Sequence, residues 1–171
     1  MKNWFIARAW IVAGGVAVVT GVPAAVSRAD EPCPVGQFRG EYSKEGKRVF
    51  AKCEPRINFD WGKSGPRTDP GSGDSKTDSV GSLAVGVDDF SVVWTGRFNF
   101  NGGNYTFTVI ADDGVQLRVD GQLLLDEWRI QPATEFHATK TLTAGVHLVE
   151  VKYFEAKEEA VIKVRWERTG P

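Results

Sequence analysis

Period-two alternation of apolar side chains runs through the chain from Gln37 onward and constrains its fold more than any other feature. Phe90, Val92, Trp94, Gly96, Phe98 and Phe100 hold alternate positions, and Tyr105, Phe107, Val109 and Ala111 alternate with polar neighbours such as Thr106 and Thr108. Successive strand residues point to opposite faces, so such runs wet one face and bury the other. Asn101-Gly102-Gly103-Asn104 reads as a turn that pairs these two runs antiparallel. Val115, Leu117 and Val119 continue the pattern into Asp120-Gly121, a two-residue hairpin signal because Gly tolerates the positive φ of a type I′ turn, with Leu123 to Leu125 as the return strand. Phe136 to Leu142 and Val146 to Tyr153 read as another hairpin turning at Ala144-Gly145. The last strand carries Ala160, Ile162, Val164 and Trp166 on one face, and Phe38 to Tyr42, Val49 to Cys53 and Ile57 to Phe59 are shorter candidates. No window of helical length shows the 3.6 period. The expected class is all-β, an antiparallel sandwich or barrel.

The first 29 residues read differently. Lys2 and Arg8 lead an apolar run from Ala9 to Val22, and Ser27-Arg28-Ala29 offers small residues where a signal peptidase reads. Pro23 ends the run short of the roughly 20 apolar residues that cross a bilayer, so a cleaved export signal over 1–29 is expected rather than a retained span. A short lead over 30–36 and a β domain over 37–168 follow. Within that domain, 62–86 is a long loop rich in Gly, Ser, Asp, Thr and Pro, read as mobile because no aromatic anchor follows Trp61.

The leader holds three of the 21 basic residues and none of the 22 acidic ones, which leaves the remainder acidic by four charges. That balance argues against nucleic acid or an anionic membrane as partner. Cys33 and Cys53 are the only cysteines and both lie in the exported part, where disulfides persist. Bridging them closes a loop of about 20 residues and adds roughly 3 kcal/mol in the chain-entropy model. They are not opposed in a simple hairpin centred near Glu45, so Pro34 to Gln37 must fold back.

Signatures of catalysis are missing from the sequence. Gly62-Lys63-Ser64 lacks the leading Gly and the strand-to-helix context of a phosphate-binding loop, and no Gly-x-Ser-x-Gly elbow occurs. His137 and His147 fall on neighbouring strands without a nucleophile to serve. Many carboxylates are present, but nothing selects an acid–base pair. Asp112-Asp113-Gly114 is the exception worth weighing, because it fills a short link between two strong strands. For both carboxylates to reach one hard cation, the backbone between them must bend sharply or adopt a cis peptide. Otherwise the triplet is plain turn chemistry.

The stretch from Phe90 to Phe98, followed by Gly103 to Gly121 with its Ala-Asp-Asp-Gly core, resembles the PA-14 (PA14) domain family of bacterial glycosidases, adhesins and fungal flocculins. Leu124-Leu125-Asp126-Glu127-Trp128, Thr141 to His147, Val149 to Glu155, Trp166 and the upstream Asp60-Trp61-Gly62 extend the similarity. The resemblance implies a β-sandwich of barrel-like shape that binds glycan or polysaccharide without catalysis. It further implies that Asp112 and Asp113, joined by a cis peptide, hold calcium as metal ligands and that sugar hydroxyls complete the ion's shell. In the family a second loop adds carbonyls and often an Asn. The corresponding residues here, Glu155 to Glu159, contain no Asn, so Glu155, Glu158 and Glu159 become the candidate ligand-binding residues of that loop, with Glu158 or Glu159 as substitute oxygen donors. Trp128 either stacks on a sugar or packs at the domain edge. A secreted carbohydrate-binding module is the expected function, in the medium, periplasm or cell envelope. A cell-envelope structural or protein-interaction domain without metal is the alternative.

Overall fold

The computed structural model describes residues 31–68 and 84–171. The expected export segment and residues 69–83 of the long loop lie outside the described residues. Eight strands form one antiparallel system: β1 (Phe38–Lys44), β2 (Lys47–Glu54), β3 (Asn58–Gly62), β4 (Phe90–Asp112), β5 (Gly114–Val119), β6 (Gln122–Glu127), β7 (Thr134–Glu155) and β8 (Ala160–Gly170). No helix occurs among the described residues. The all-β antiparallel class expected from the alternation holds.

The frame is a two-stranded ribbon of unusual length. β4 and β7 pair in a single unshifted register from Phe90↔Glu155 to Ala111↔Thr134. This corrects the sequence reading in two places, because neither Asn101–Asn104 nor Ala144-Gly145 is a hairpin turn. Both lie at a corner through which the two strands pass together. The phase of burial flips there: even-numbered residues of β4 point inward up to Phe100, and odd-numbered ones do so from Tyr105. Gly103 (φ +109) and Gly145 (φ +139) supply backbone conformations that L side chains rarely adopt, which lets the ribbon change direction without losing its ladder.

Beyond the corner each half takes its own neighbours. β1 pairs with β4 over Phe90 to Gly96, whereas β8 pairs with it over Asn104 to Asp112. One layer therefore runs β2-β1-β4-β7-β5-β6, and β3 and β8 extend the other. The layers meet through aromatic side chains. Phe59 of β3 stacks on Trp94 of β4 at 5.8 Å between centroids, Trp166 of β8 meets Phe98 edge-on at 4.9 Å, and Trp61 touches Phe90, Tyr42 and Tyr153. Trp94, Phe107, Leu117, Val151 and Tyr153 are fully buried, so burial of apolar area holds the layers together. A buried carboxylate sits among them: Glu54 accepts from Trp94 Nε1 at 2.6 Å and pairs with Lys52 at 3.0 Å.

Cys33 and Cys53 are bonded, with Cα atoms 5.6 Å apart. The fold-back that the sequence required is a turn in which Gln37 N–H donates to the Pro34 carbonyl at 3.0 Å, with Gly36 N–H on Arg97 O at 2.7 Å. The Asp120-Gly121 hairpin also forms where expected, with φ of +51° and +77°.

That hairpin is tied to the ribbon's corner by His147. Its Nδ1 lies 2.7 Å from Asp120 Oδ2 and its Nε2 3.0 Å from the Thr143 carbonyl, while Leu148 N–H donates to Asp120 Oδ1 at 3.0 Å. Both ring nitrogens face acceptors, an arrangement that suits the imidazolium. The hydrogen bond to Asp120 raises the His147 pKa above its ordinary 6.5 against an opposing effect of burial. For Asp120, burial pushes upward, but the donors from His147 and Leu148 outweigh it and lower the pKa below 3.8. A raised histidine pKa stabilises the fold fully below 6.5 and ceases to do so as pH climbs through the folded-state value. The Asp120 contribution is present above 3.8 and lost as pH falls through its lowered value. The unfolding temperature should thus decline as pH rises above about 6.5, modestly because Asp120 is half-exposed, and thermal melts of His147→Gln should show a shallower decline.

Candidate functional site

Folding the β4–β7 ribbon in half brings its two ends to one pole of the sandwich. Asp112 closes β4 at one end of the ribbon, and Glu155 closes β7 at the other, opposite Phe90. Without the corner these residues would stand a whole strand length apart. With it, one oxygen each of Asp112, Asp113 and Glu155 lies within 4.8 Å of the others. The Asp112–Asp113 peptide is cis.

Two loops clamp the aspartates through backbone donors. From the β6–β7 loop, Gln131 N–H donates to Asp113 Oδ1 at 3.0 Å and Ala133 N–H to Asp112 Oδ2 at 3.0 Å. From the β7–β8 loop, Ala156 N–H donates to Asp113 Oδ2 at 2.9 Å. The Gln131 side chain also donates to the Asp113 carbonyl at 3.1 Å. Charge-assisted bonds of this kind fix carboxylate orientation. Asp113 and Gln131 are buried, whereas Asp112 is partly open to solvent.

Glu155 forms the floor. It is 1% exposed, and its Oε2 lies 3.1 Å from the Tyr153 hydroxyl, which also contacts the Asp112 carbonyl. Its Oε1 is buried with no hydrogen-bond partner. Burial pushes the Glu155 pKa up to about 8; the Tyr153 hydroxyl works against this, and the charges of Asp113, Asp112 and Asp88 reinforce it. Burial also raises Asp112, helped by the neighbouring Asp113 charge and opposed by the Ala133 N–H. Burial likewise keeps Tyr153 protonated, aided by Glu155. Hard oxygen donors gathered in this way could hold a hard cation.

The other candidates lie around this cluster but outside it. Glu158 is exposed and pairs with Lys63 at 2.9 Å, and its N–H donates to Asp88 at 3.3 Å. Glu159 is exposed at the same turn. Trp128 is 48% exposed and packs on Phe154 with ring centroids 4.7 Å apart, so it both packs and remains half open to solvent. It lines an open cleft with Gln116, Asp126, Glu127 and Arg129, where Gln116 bonds Asp126 at 2.8 Å and Arg129 pairs with Glu127 at 2.9 Å. Ile130, 75% exposed, stands beside it. A more closed cleft lined by Arg56, Thr108, Ile110, Lys163 and Arg165 lies between β3, β8 and β4 and holds none of the predicted residues.

Sequence reasoning placed Glu155 in a loop, but it is the last residue of β7. The signal was available: Val149, Val151 and Tyr153 point inward, and the same phase carries Glu155 to the buried face. Gln131 was missed because it sits in an aperiodic loop, and only its backbone and amide contacts reveal its role.

A model of the PA14 domain matches residues 38–171. The anti-sigma-I factor RsgI3 of Acetivibrio thermocellus is 34% identical over 134 residues, which cover 75% of this chain and 18% of that protein. The chain thus spans less than a fifth of that curated relative. Among solved structures, an anti-sigma factor domain-containing protein is similar at 33% identity and a TM-score of 0.64, covering 80% of this chain and 44% of the other. The PA14 sugar-binding domain from an RTX adhesin is similar at 26% identity and a TM-score of 0.58, covering 78% of this chain and 90% of the other.

Gly114 couples the aspartate pair to the Trp128 surface. A Cβ there would stand 2.0 Å from Phe154 Cε1, the ring that supports Trp128. Gly114→Ala should lower the unfolding free energy by about 1–3 kcal/mol through overpacking, measured by urea titration.

Proposed function

The chain belongs to the PA14 domain family, and from that premise we propose that it is a non-catalytic carbohydrate-binding module working outside the cytoplasmic membrane, with glycan recognised at the pole that carries Asp112 and Asp113. The observation that carries this reading is the cluster of three carboxylates at one pole, with Asp112 partly open to solvent and the aspartates clamped by backbone donors from two separate loops. The likeness to the sugar-binding domain of an RTX adhesin supports it, and the disulfide together with that likeness supports an extracytoplasmic setting.

The residues present fit a calcium ion. The donors are all hard oxygens, and a buried carboxylate oxygen lacks a partner. When bound, calcium supplies open coordination positions for neighbouring hydroxyls of a sugar. The chain's own residues do the rest. Gln131, Ala133 and Ala156 orient the aspartates, and Asp112 keeps an exposed side toward solvent. Trp128 offers an aromatic face to the apolar face of a sugar ring, with Gln116 and Asp126 beside it as hydrogen-bonding groups. Catalysis is not part of this reading. No helix among the described residues is long and apolar enough to cross a membrane.

A glycan array probed with the purified protein tests the proposal. Binding to a defined set of glycans should require added calcium, disappear with chelator, and fall at least about tenfold in Asp113→Asn, since each bidentate or charged ligand lost is worth more than 1.4 kcal/mol. Glycan binding indifferent to chelator and to Asp113→Asn would place recognition elsewhere on the domain. An empty array under every condition would favour the alternative of a metal-free envelope domain that binds protein.

A further inference from the structure

The calcium-assisted reading leaves the ion's second flank open, because the β7–β8 loop offers no Asn and its Glu158 is engaged by Lys63. Glu155 answers this from a different direction. It is 1% exposed, its ligand oxygen is within 4.8 Å of those of Asp112 and Asp113, and Oε1 has no partner. A buried carboxylate beside two others is costly unless something positive completes the group. Among the described residues, none of the three is ion-paired to a lysine or arginine: Lys63 is paired with Glu158, Lys163 with Asp60, and Lys44 donates to the Asp88 carbonyl. Nor do the flanking loops send a donor to Oε1, although they supply one to three of the four aspartate carboxylate oxygens. The three side chains come from the last residue of β4, from the single residue that links β4 to β5 and from the last residue of β7.

We propose that Glu155 is the third protein ligand of the cation, binding it through Oε1 from the strand floor in place of a side chain from the β7–β8 loop. The site is then a compact tricarboxylate centre, and its three negative charges suit a hard cation of charge two or more. Residues 156–159 are released from holding the ion. Their charged side chains, Lys157, Glu158 and Glu159, instead form the rim that meets the glycan. This inference rests on the reading of Asp112 and Asp113 as a cation site, and the experiment separates the two.

Calcium titration calorimetry, with terbium luminescence sensitised by the adjoining Tyr153 as an independent readout, compares the full chain with Glu155→Gln, Glu155→Asp and Glu158→Gln. Glu155→Gln should weaken calcium and terbium binding by at least about 10- to 100-fold. Glu155→Asp, which keeps a carboxylate on a shorter arm, should fall between it and the parent, and Glu158→Gln should match the parent. With no cation added, Glu155→Gln should melt no lower than the parent, because it relieves crowding of buried like charges. Parental calcium affinity in Glu155→Gln overturns the role of Glu155 and leaves the aspartate pair standing. Collapse of the fold in cation-free Glu155→Gln also overturns it, marking a structural carboxylate. A parent that binds neither calcium nor terbium at millimolar concentration overturns this inference and the cation reading together.

Discussion

Everything at the functional pole depends on the β4–β7 ladder and on its bend. A straight ribbon with the register Phe90↔Glu155 to Ala111↔Thr134 would hold Asp112 and Glu155 at opposite extremes. The corner at Gly102, Gly103 and Gly145 turns the ribbon back on itself, so that the two extremes become neighbours. Strand pairing thus converts sequence separation into proximity, and the hydrogen bonds of a continuous ladder make that proximity rigid. The apolar contacts between the layers, with Trp94, Phe98, Phe59 and Trp166 at their centre, keep the halves closed.

The pole is built on opposing tendencies. Backbone donors from two loops fix the aspartate carboxylates in place, while burial and the neighbouring charges disfavour charge on Glu155. An arrangement in which three carboxylates share one small volume is stable only where donors, a proton or a cation offset the repulsion. The donors reach Asp112 and Asp113, and Oε1 of Glu155 is left over. That asymmetry is the basis of the proposed cation site. Trp128 and Gly114 link the cluster to the adjoining cleft through Phe154, so changes at one are felt at the other.

The sequence carried the strand content plainly, because alternation of large apolar residues with polar ones has few other readings. It also carried the Asp120-Gly121 hairpin and the disulfide. It misled at the corner, where Asn-Gly-Gly-Asn and Ala-Gly have turn chemistry and the phase of alternation flips. A hairpin and a bend in a paired ribbon leave the same local signature, and only the distant partner strand distinguishes them. Glu155 was recognised as a candidate but placed in a loop, since a charged residue beside Ala156-Lys157 reads as exposed until its phase with Val151 and Tyr153 is followed. Gln131 had no pattern to betray it: its contribution is mainly a backbone N–H and an amide, whose use is set by where the loop passes.

The central claim is that the folded ribbon assembles a cation site from residues that belong to the native state alone. Its most direct test is the unfolding temperature of the unaltered protein measured by calorimetry against calcium concentration. A ligand bound only by the native state adds RT ln(1 + [L]/Kd), about 2.7 kcal/mol at a hundredfold excess over Kd, so the transition should move steadily upward as calcium is raised and return on chelation. A transition that stays fixed from chelator to millimolar calcium would contradict the account.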